Sequence, residues 1–401
     1  MAERELFYQK TSWHGRDARL LGNDKVRLVV LTGGGHVAEF RFAESTGLST
    51  VSALWVPVWK LIEPYHYRAK VHAARYGPPA VGRLLAGIAG NNLCLDHFGV
   101  PSDEEAAQGL PLHGEAGVSR WRKKRLVLTP RRLSLTLEVK LPIAGLQFQR
   151  EIELRRGESV VYYKETVTNE RQADHFFDWQ QHATFGPPFL SRQDSRLALS
   201  GTRGLVYSGG YEGRDLLQPG AEFRWPNAPG VGGGKVDLRR PLARRGRGIL
   251  ATVLLDQRRE VQYVAAYNLR YGVLLGYTFR WQDFPWSAIW EENHARLYPP
   301  WNGKSETRGM EFGSTPLPLT PREAVALGPL FGAPSCAVVP ARGKKVIRYA
   351  SFLAALPKGF KEVKDIRVRK GAIEVRAAGN KEPVVVAAAG VARNNAIFPG
   401  A

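Results

Sequence analysis

The chain has 401 residues, 44% of them hydrophobic and 23% charged, which excludes a disordered or fibrous protein. Lys and Arg number 57 against 37 Asp and Glu, so the formal net charge is +20. That balance invites an acidic partner (nucleic acid, an anionic membrane, or a phosphorylated or uronic sugar), while the two cysteines, Cys94 and Cys336, exclude a disulfide scaffold and sit in no zinc-type spacing.

The first residues, MAERELFYQKTSW, lack the apolar core and cleavage site of a signal peptide. The longest apolar runs, Val51–Ile62 and Val384–Val391, fall short of the roughly 20 residues a spanning helix needs. A soluble, cytoplasmic protein is expected, or a periplasmic one if a leader has been removed, with no membrane partner.

Strand-like runs follow one another at Val26–Leu31, Val37–Phe42, Arg125–Thr129, Leu133–Val139, Gln147–Leu154 and Ser159–Thr168. In LSLTLEV, Leu133, Leu135, Leu137 and Val139 share one face while Ser134, Thr136 and Glu138 share the other, the period of a half-buried strand. Further runs come at Gly248–Leu255, Val261–Tyr267, Val273–Phe279, Val346–Leu353, Ile366–Val368, Ala372–Ala377 and Pro383–Ala389. Gly and Pro, 42 and 26 in number, punctuate them as turns. Pro226–Lys235 reads as a long loop. Residues 321–328, with Thr320 as cap and Pro321 at the first position, predict a short helix. The expectation is an all-β chain, a large antiparallel β-sandwich with few short helices. Residues 1–340 make its body, and 341–401 add strands that complete it or are appended to it.

Gly33–Gly35 and Gly232–Gly234 match neither a dinucleotide fingerprint nor a phosphate-binding loop, so no cofactor is expected. The basic clusters, such as Arg120–Arg125 and Arg244–Arg247, fall between strands and form no recognition helix; no dedicated nucleic-acid partner follows from them. His113-x-Glu115 with Asp96 and His97 has metal-binding atoms but no diagnostic spacing, and no metal is expected. Oligomeric state is not written in the pattern.

Three segments carry the chemistry. His113 sits in Leu112-His113-Gly114-Glu115-Ala116, His182 in Gln181-His182-Ala183-Thr184-Phe185, and Glu311 in Met310-Glu311-Phe312. Small residues and aromatics around the histidines suit a pocket where a ring-shaped ligand approaches the backbone. The order and character of these segments, with Gly90-Asn91-Asn92-Leu93-Cys94-Leu95-Asp96-His97-Phe98-Gly99 before them, resemble the galactose mutarotase (aldose 1-epimerase) superfamily and its hexose-phosphate branch. Glu115 and Gly117 depart from the aromatic and arginine of that branch's HGFAR-like motif.

The resemblance implies a mutarotase-type sandwich over roughly residues 20–355 and a small sugar as partner. It implies that Glu311 is the base, His182 the acid, and His113 a group that holds the ring oxygen or a nearby hydroxyl. Interconverting anomers needs such groups, because one must take the C1 hydroxyl proton while another protonates O5. Asn91, Asp96, His97, Trp179, Asp283, Trp290 and Arg308 are the candidate sugar-binding residues, and Trp301 a further stacking surface. Each has a plainer reading as a core, loop or salt-bridge residue. Two other functions stay open on the same fold, a lyase or hydrolase of an acidic glycan and a non-catalytic sugar-binding protein. The surplus of cations leans toward an anionic sugar.

Overall fold

A computed structural model describes residues 6–379 and 382–391. Its chain forms two large antiparallel sheets packed face to face. The first begins with the meander Phe7–Trp13, Arg16–Gly22, Val26–Leu31 and Val37–Phe42. It continues through Asn91–Asp96, His175–Phe185, Glu306–Gly313, Trp286–Asn293 and Arg247–Leu255 to Gly201–Val206 and three short strands. The second runs in the order Ser195–Leu199, Val261–Asn268, Val273–Arg280, Lys344–Ala355, Val160–Asn169, Leu146–Arg155, Arg132–Leu141 and Arg122–Leu128. Leu133, Leu135, Leu137 and Val139 join the apolar layer between the sheets, as their alternation predicts.

The described residues beyond 340 divide between two layers. Lys344–Ala355 is an interior strand of the second sheet, and Val363–Arg369, Gly371–Ala377 and Val384–Ala388 form a separate three-stranded sheet. That small sheet covers the outer face of the second one. In Val261–Asn268, Val264 and Ala266 therefore face the sandwich core, whereas Tyr263, Ala265 and Tyr267 face the C-terminal sheet. Both sides are buried, so the strand reads as a continuous apolar run and not as an alternating one.

Most strand runs lie within a few residues of their expected ends. The helix at Pro321–Leu327 has the expected Thr320 cap, and Glu323 completes a capping box with it. One expectation is corrected. Pro226–Lys235 is not one long loop: Asn227–Pro229 pairs with Lys235–Asp237, and Gly232, Gly233 and Gly234 turn the chain at positive φ. The excursion between Val37–Phe42 and Asn91–Asp96 carries two helices, Ala69–Tyr76 and Pro79–Leu85. No helix among the described residues is long and apolar enough to cross a membrane.

The basic run Arg122–Arg125 lies exposed on the edge strand of the second sheet. Charge on an edge discourages pairing with another chain. Arg16, Arg150 and Arg308 are instead buried with carboxylate partners. The cations thus serve separate structural ends.

Candidate active site

Strand period builds the site. In His175–Phe185 the odd positions Phe177, Trp179, Ala183 and Phe185 enter the sandwich core. His182 and Thr184 therefore share the opposite face, where both line a cavity of about 520 Å3. On the adjacent strand Glu306–Gly313, Met310 and Phe312 are core residues, so Glu311 projects to the same cavity. Between them Gly309 leaves space: a Cβ there would stand 2.7 Å from Glu311 Oε1. His182 Nε2 and Glu311 Oε1 are 3.2 Å apart.

His113 arrives from a loop. It adopts a left-handed φ of 63°, followed by Gly114 at 78°. A non-glycine residue holds that conformation only where its surroundings fix it. They do: the His113 N–H donates to the Gly99 carbonyl (3.0 Å), and the Gly99 N–H donates to His113 Nδ1 (3.1 Å). With Nδ1 accepting, the proton of the neutral ring is on Nε2. The ring stacks on Phe98 and lies 5.1 Å, centroid to centroid, from His182.

Burial sets the protonation of all three groups. It lowers His182 to about 4 and His113 well below the usual imidazole range, where the charges of His182, His97 and Arg296 push in the same direction. Burial also raises Glu311 well above the usual carboxylate range. The Thr184 hydroxyl donates to the His182 carbonyl (3.3 Å), so the 2.8 Å contact between its oxygen and His182 Nδ1 is a bond donated by the ring. Nε2 is then the acceptor facing a protonated Glu311. Glu311 Oε2 has no protein partner.

An aromatic and ionic wall completes the cavity. Trp290 packs edge-on to His182 (5.9 Å) and donates through Nε1 to the Tyr211 hydroxyl, which donates to Glu292. The Arg296 guanidinium lies over the rings of Tyr211, Trp301 and Trp290 and bonds Glu212, which also accepts from Tyr298.

Of the residues singled out in the sequence, the fold brings His113, His182, Glu311, Trp290 and Trp301 to this cavity. The others lie elsewhere. Trp179 is in the core and donates to Glu165, and Arg308 is buried against Glu291 on the inner face. Asp283 closes a local pair with Arg280, and Asn91 sits beside Tyr277 inside the sandwich. Asp96 bonds His175 at 2.5 Å. His97 is fully buried behind the cavity, with neither ring nitrogen hydrogen-bonded. Glu115 accepts from the Ala144 N–H, holding a neighbouring loop. Thr184, Tyr211, Glu212 and Arg296 escaped the sequence reading. For Thr184 the signal was present, two residues beyond His182 on one strand face.

No protein-family model matches the sequence, and no curated protein matches it. Solved structures do. A candidate aldose 1-epimerase from Klebsiella pneumoniae superposes with a TM-score of 0.62 at 13% identity, covering 88% of this chain and 84% of that one. The fold is that of the galactose mutarotase-like proteins. A protein of that description from Clostridium acetobutylicum gives a TM-score of 0.59 at 10% identity, over 88% of this chain and 99% of its own. A candidate mutarotase from Salmonella typhimurium gives 0.54 at 11%, over 88% and 94%. At such identities the mutarotase-like likeness speaks for architecture alone.

Proposed function

We propose that the protein is an aldose 1-epimerase, interconverting the anomers of a hexose or hexose derivative. The observation that carries this reading is the 3.2 Å contact between His182 Nε2 and Glu311 Oε1 at a cavity wall, with Glu311 Oε2 unpartnered and His113 beside them. The pair holds one proton. With that proton on Nε2, Glu311 is a carboxylate that takes the proton of the C1 hydroxyl, and His182 is an imidazolium that protonates O5. The C1–O5 bond breaks, C1 becomes an aldehyde and O5 a hydroxyl. Rotation about C1–C2 exposes the other face, and the same pair, roles reversed, closes the ring. His113 Nε2–H donates to a sugar oxygen during opening, which needs no charge on the ring.

The two other carboxylates on the wall are engaged, Glu212 with Arg296 and Tyr298, and Glu323 with the Thr320 cap. That counts against hydrolysis by a pair of free carboxyl groups. Exchange NMR with glucose, galactose and their 6-phosphates is the test. Acceleration of anomer exchange, lost in Glu311→Gln, is expected; no acceleration with any of them, or full activity in that variant, overturns the proposal.

A further inference from the structure

We infer that the cavity has an apolar subsite beside the His182–Glu311 pair, and that it takes an uncharged sugar carrying an apolar group in preference to a phosphorylated or acidic one. The inference rests on the proposed sugar chemistry for the reacting end of the ligand, and its argument comes from the rest of the cavity.

The first observation is charge. Among the described lining residues Arg296 is the single cation, whereas Glu212, Glu311 and Glu323 are acids. Arg296 Nε already bonds Glu212 at 3.1 Å and lies 3.9 Å from Glu292. Both lining histidines are held neutral by burial. A phosphate or carboxylate entering here would meet one neutralised guanidinium and the lone-pair side of carboxyl groups, so its desolvation would go unrewarded. The net charge of +20 does not extend into the cavity.

The second observation is shape. The helix Pro79–Leu85 and the segments after Asp96 and before His113 contribute an aliphatic strip. Buried Leu85, Ile88 just beyond the helix, and half-buried Val81 and Leu112 cluster together, and Val100, 60% exposed, lines the same cavity. No side chain of this strip can pair a hydroxyl, so a second polar ring laid against it would lose hydrogen bonds to water with little replacement. An alkyl, acyl or aryl group would instead gain from leaving water. Trp55, Trp301 and Trp290 form the neighbouring wall, on which a sugar ring can stack.

Calorimetry and tryptophan fluorescence test this on the full chain with paired probes: methyl against hexyl β-D-glucopyranoside, glucose against 6-O-hexylglucose, and glucose against glucose 6-phosphate. At least one hexyl ligand is expected to bind about tenfold to hundredfold more tightly than its partner, at roughly fourfold per methylene buried. The ratio falls toward one in Val100→Asp, whose parent residue is exposed, and in Val81→Asp, with folding checked by circular dichroism. Equal affinity within both hexyl pairs, ratios unchanged in both folded variants, or tighter binding of the 6-phosphate than of glucose would overturn the inference. Tight hexyl binding without anomer exchange of any sugar would instead remove the epimerase reading and leave the subsite standing.

Discussion

Two buried glutamates lie on opposite sides of the strand His175–Phe185. Glu165 reaches its inner face from the second sheet. One oxygen accepts from Arg150 Nε (2.6 Å) and the Tyr349 hydroxyl (2.8 Å), the other from Trp179 Nε1 (3.1 Å) and Gln181 Nε2 (2.9 Å). Glu311 lies at the outer face with one oxygen against His182 and the other unpartnered. Both are essentially inaccessible, at 0% and 1% exposure, so burial alone does not mark a reactive carboxylate. Hydrogen-bond saturation does. A carboxylate with every lone pair engaged can neither take nor give a proton without breaking the network, whereas an unsaturated one retains that capacity.

The comparison is broken most directly by Glu311→Gln. Anomer exchange is expected to fall by about three orders of magnitude, measured by exchange NMR, with the thermal midpoint nearly unchanged because burial already disfavours the charge that Gln removes. Glu165→Gln is expected to do the reverse. It leaves Arg150 buried without its counter-charge, at a cost of about 3–5 kcal/mol, read from the denaturant midpoint, while the folded fraction still exchanges anomers.

The pH profile sharpens the contrast. As pH falls through about 4, His182 binds a second proton into the pair and no base remains, so turnover declines. On the alkaline side Glu311 loses the shared proton from its raised value and no acid remains. A two-sided profile whose acid limb is lost in His182→Gln is the expected result.

Asp178, on the same outer face, gives a stability effect. Burial raises it to about 8, and it accepts from the Phe98 N–H and the Thr315 hydroxyl. An unfolded aspartate ionises near its ordinary value while the native one keeps its proton to about 8, so unfolding releases a proton between these limits. Stability is complete below the lower limit and declines as pH rises through the window. Asp178→Asn should flatten that decline in urea titrations at several pH values. The smallest effect is expected of Thr184→Val, which frees His182 Nδ1: kcat falls about tenfold with KM little altered, consistent with a lost orienting bond.

Legibility followed solvent contact. Leu133–Val139 alternates because one face meets the core and the other is more open, and its strand was plain. His175–Phe185 was not recognised as a strand, since Trp179 and Gln181 are buried on one face and Asp178, Gln180 and His182 on the other. No polar–apolar contrast survives where both faces are covered. The helices Ala69–Tyr76 and Pro79–Leu85 went unread for a related reason: each is only two turns long and offers too few positions to show a period.

The net charge, read alone, favoured an anionic ligand. The apolar subsite inferred above runs against that inclination, with Arg16, Arg150 and Arg308 buried against carboxylates and other cations on the outer edge. By itself the sequence determined the all-β class, because alternation and turn residues act within a few positions of one another. It also marked His113, His182 and Glu311, whose types are those that proton transfer needs. Only the tertiary structure decided that these three face one cavity and that Trp179, Asp283 and Arg308 do not. The reason is distance along the chain: pairing brings His182 and Glu311 together across more than a hundred residues, and which face each side chain takes depends on sheet register and on the layer packed behind it.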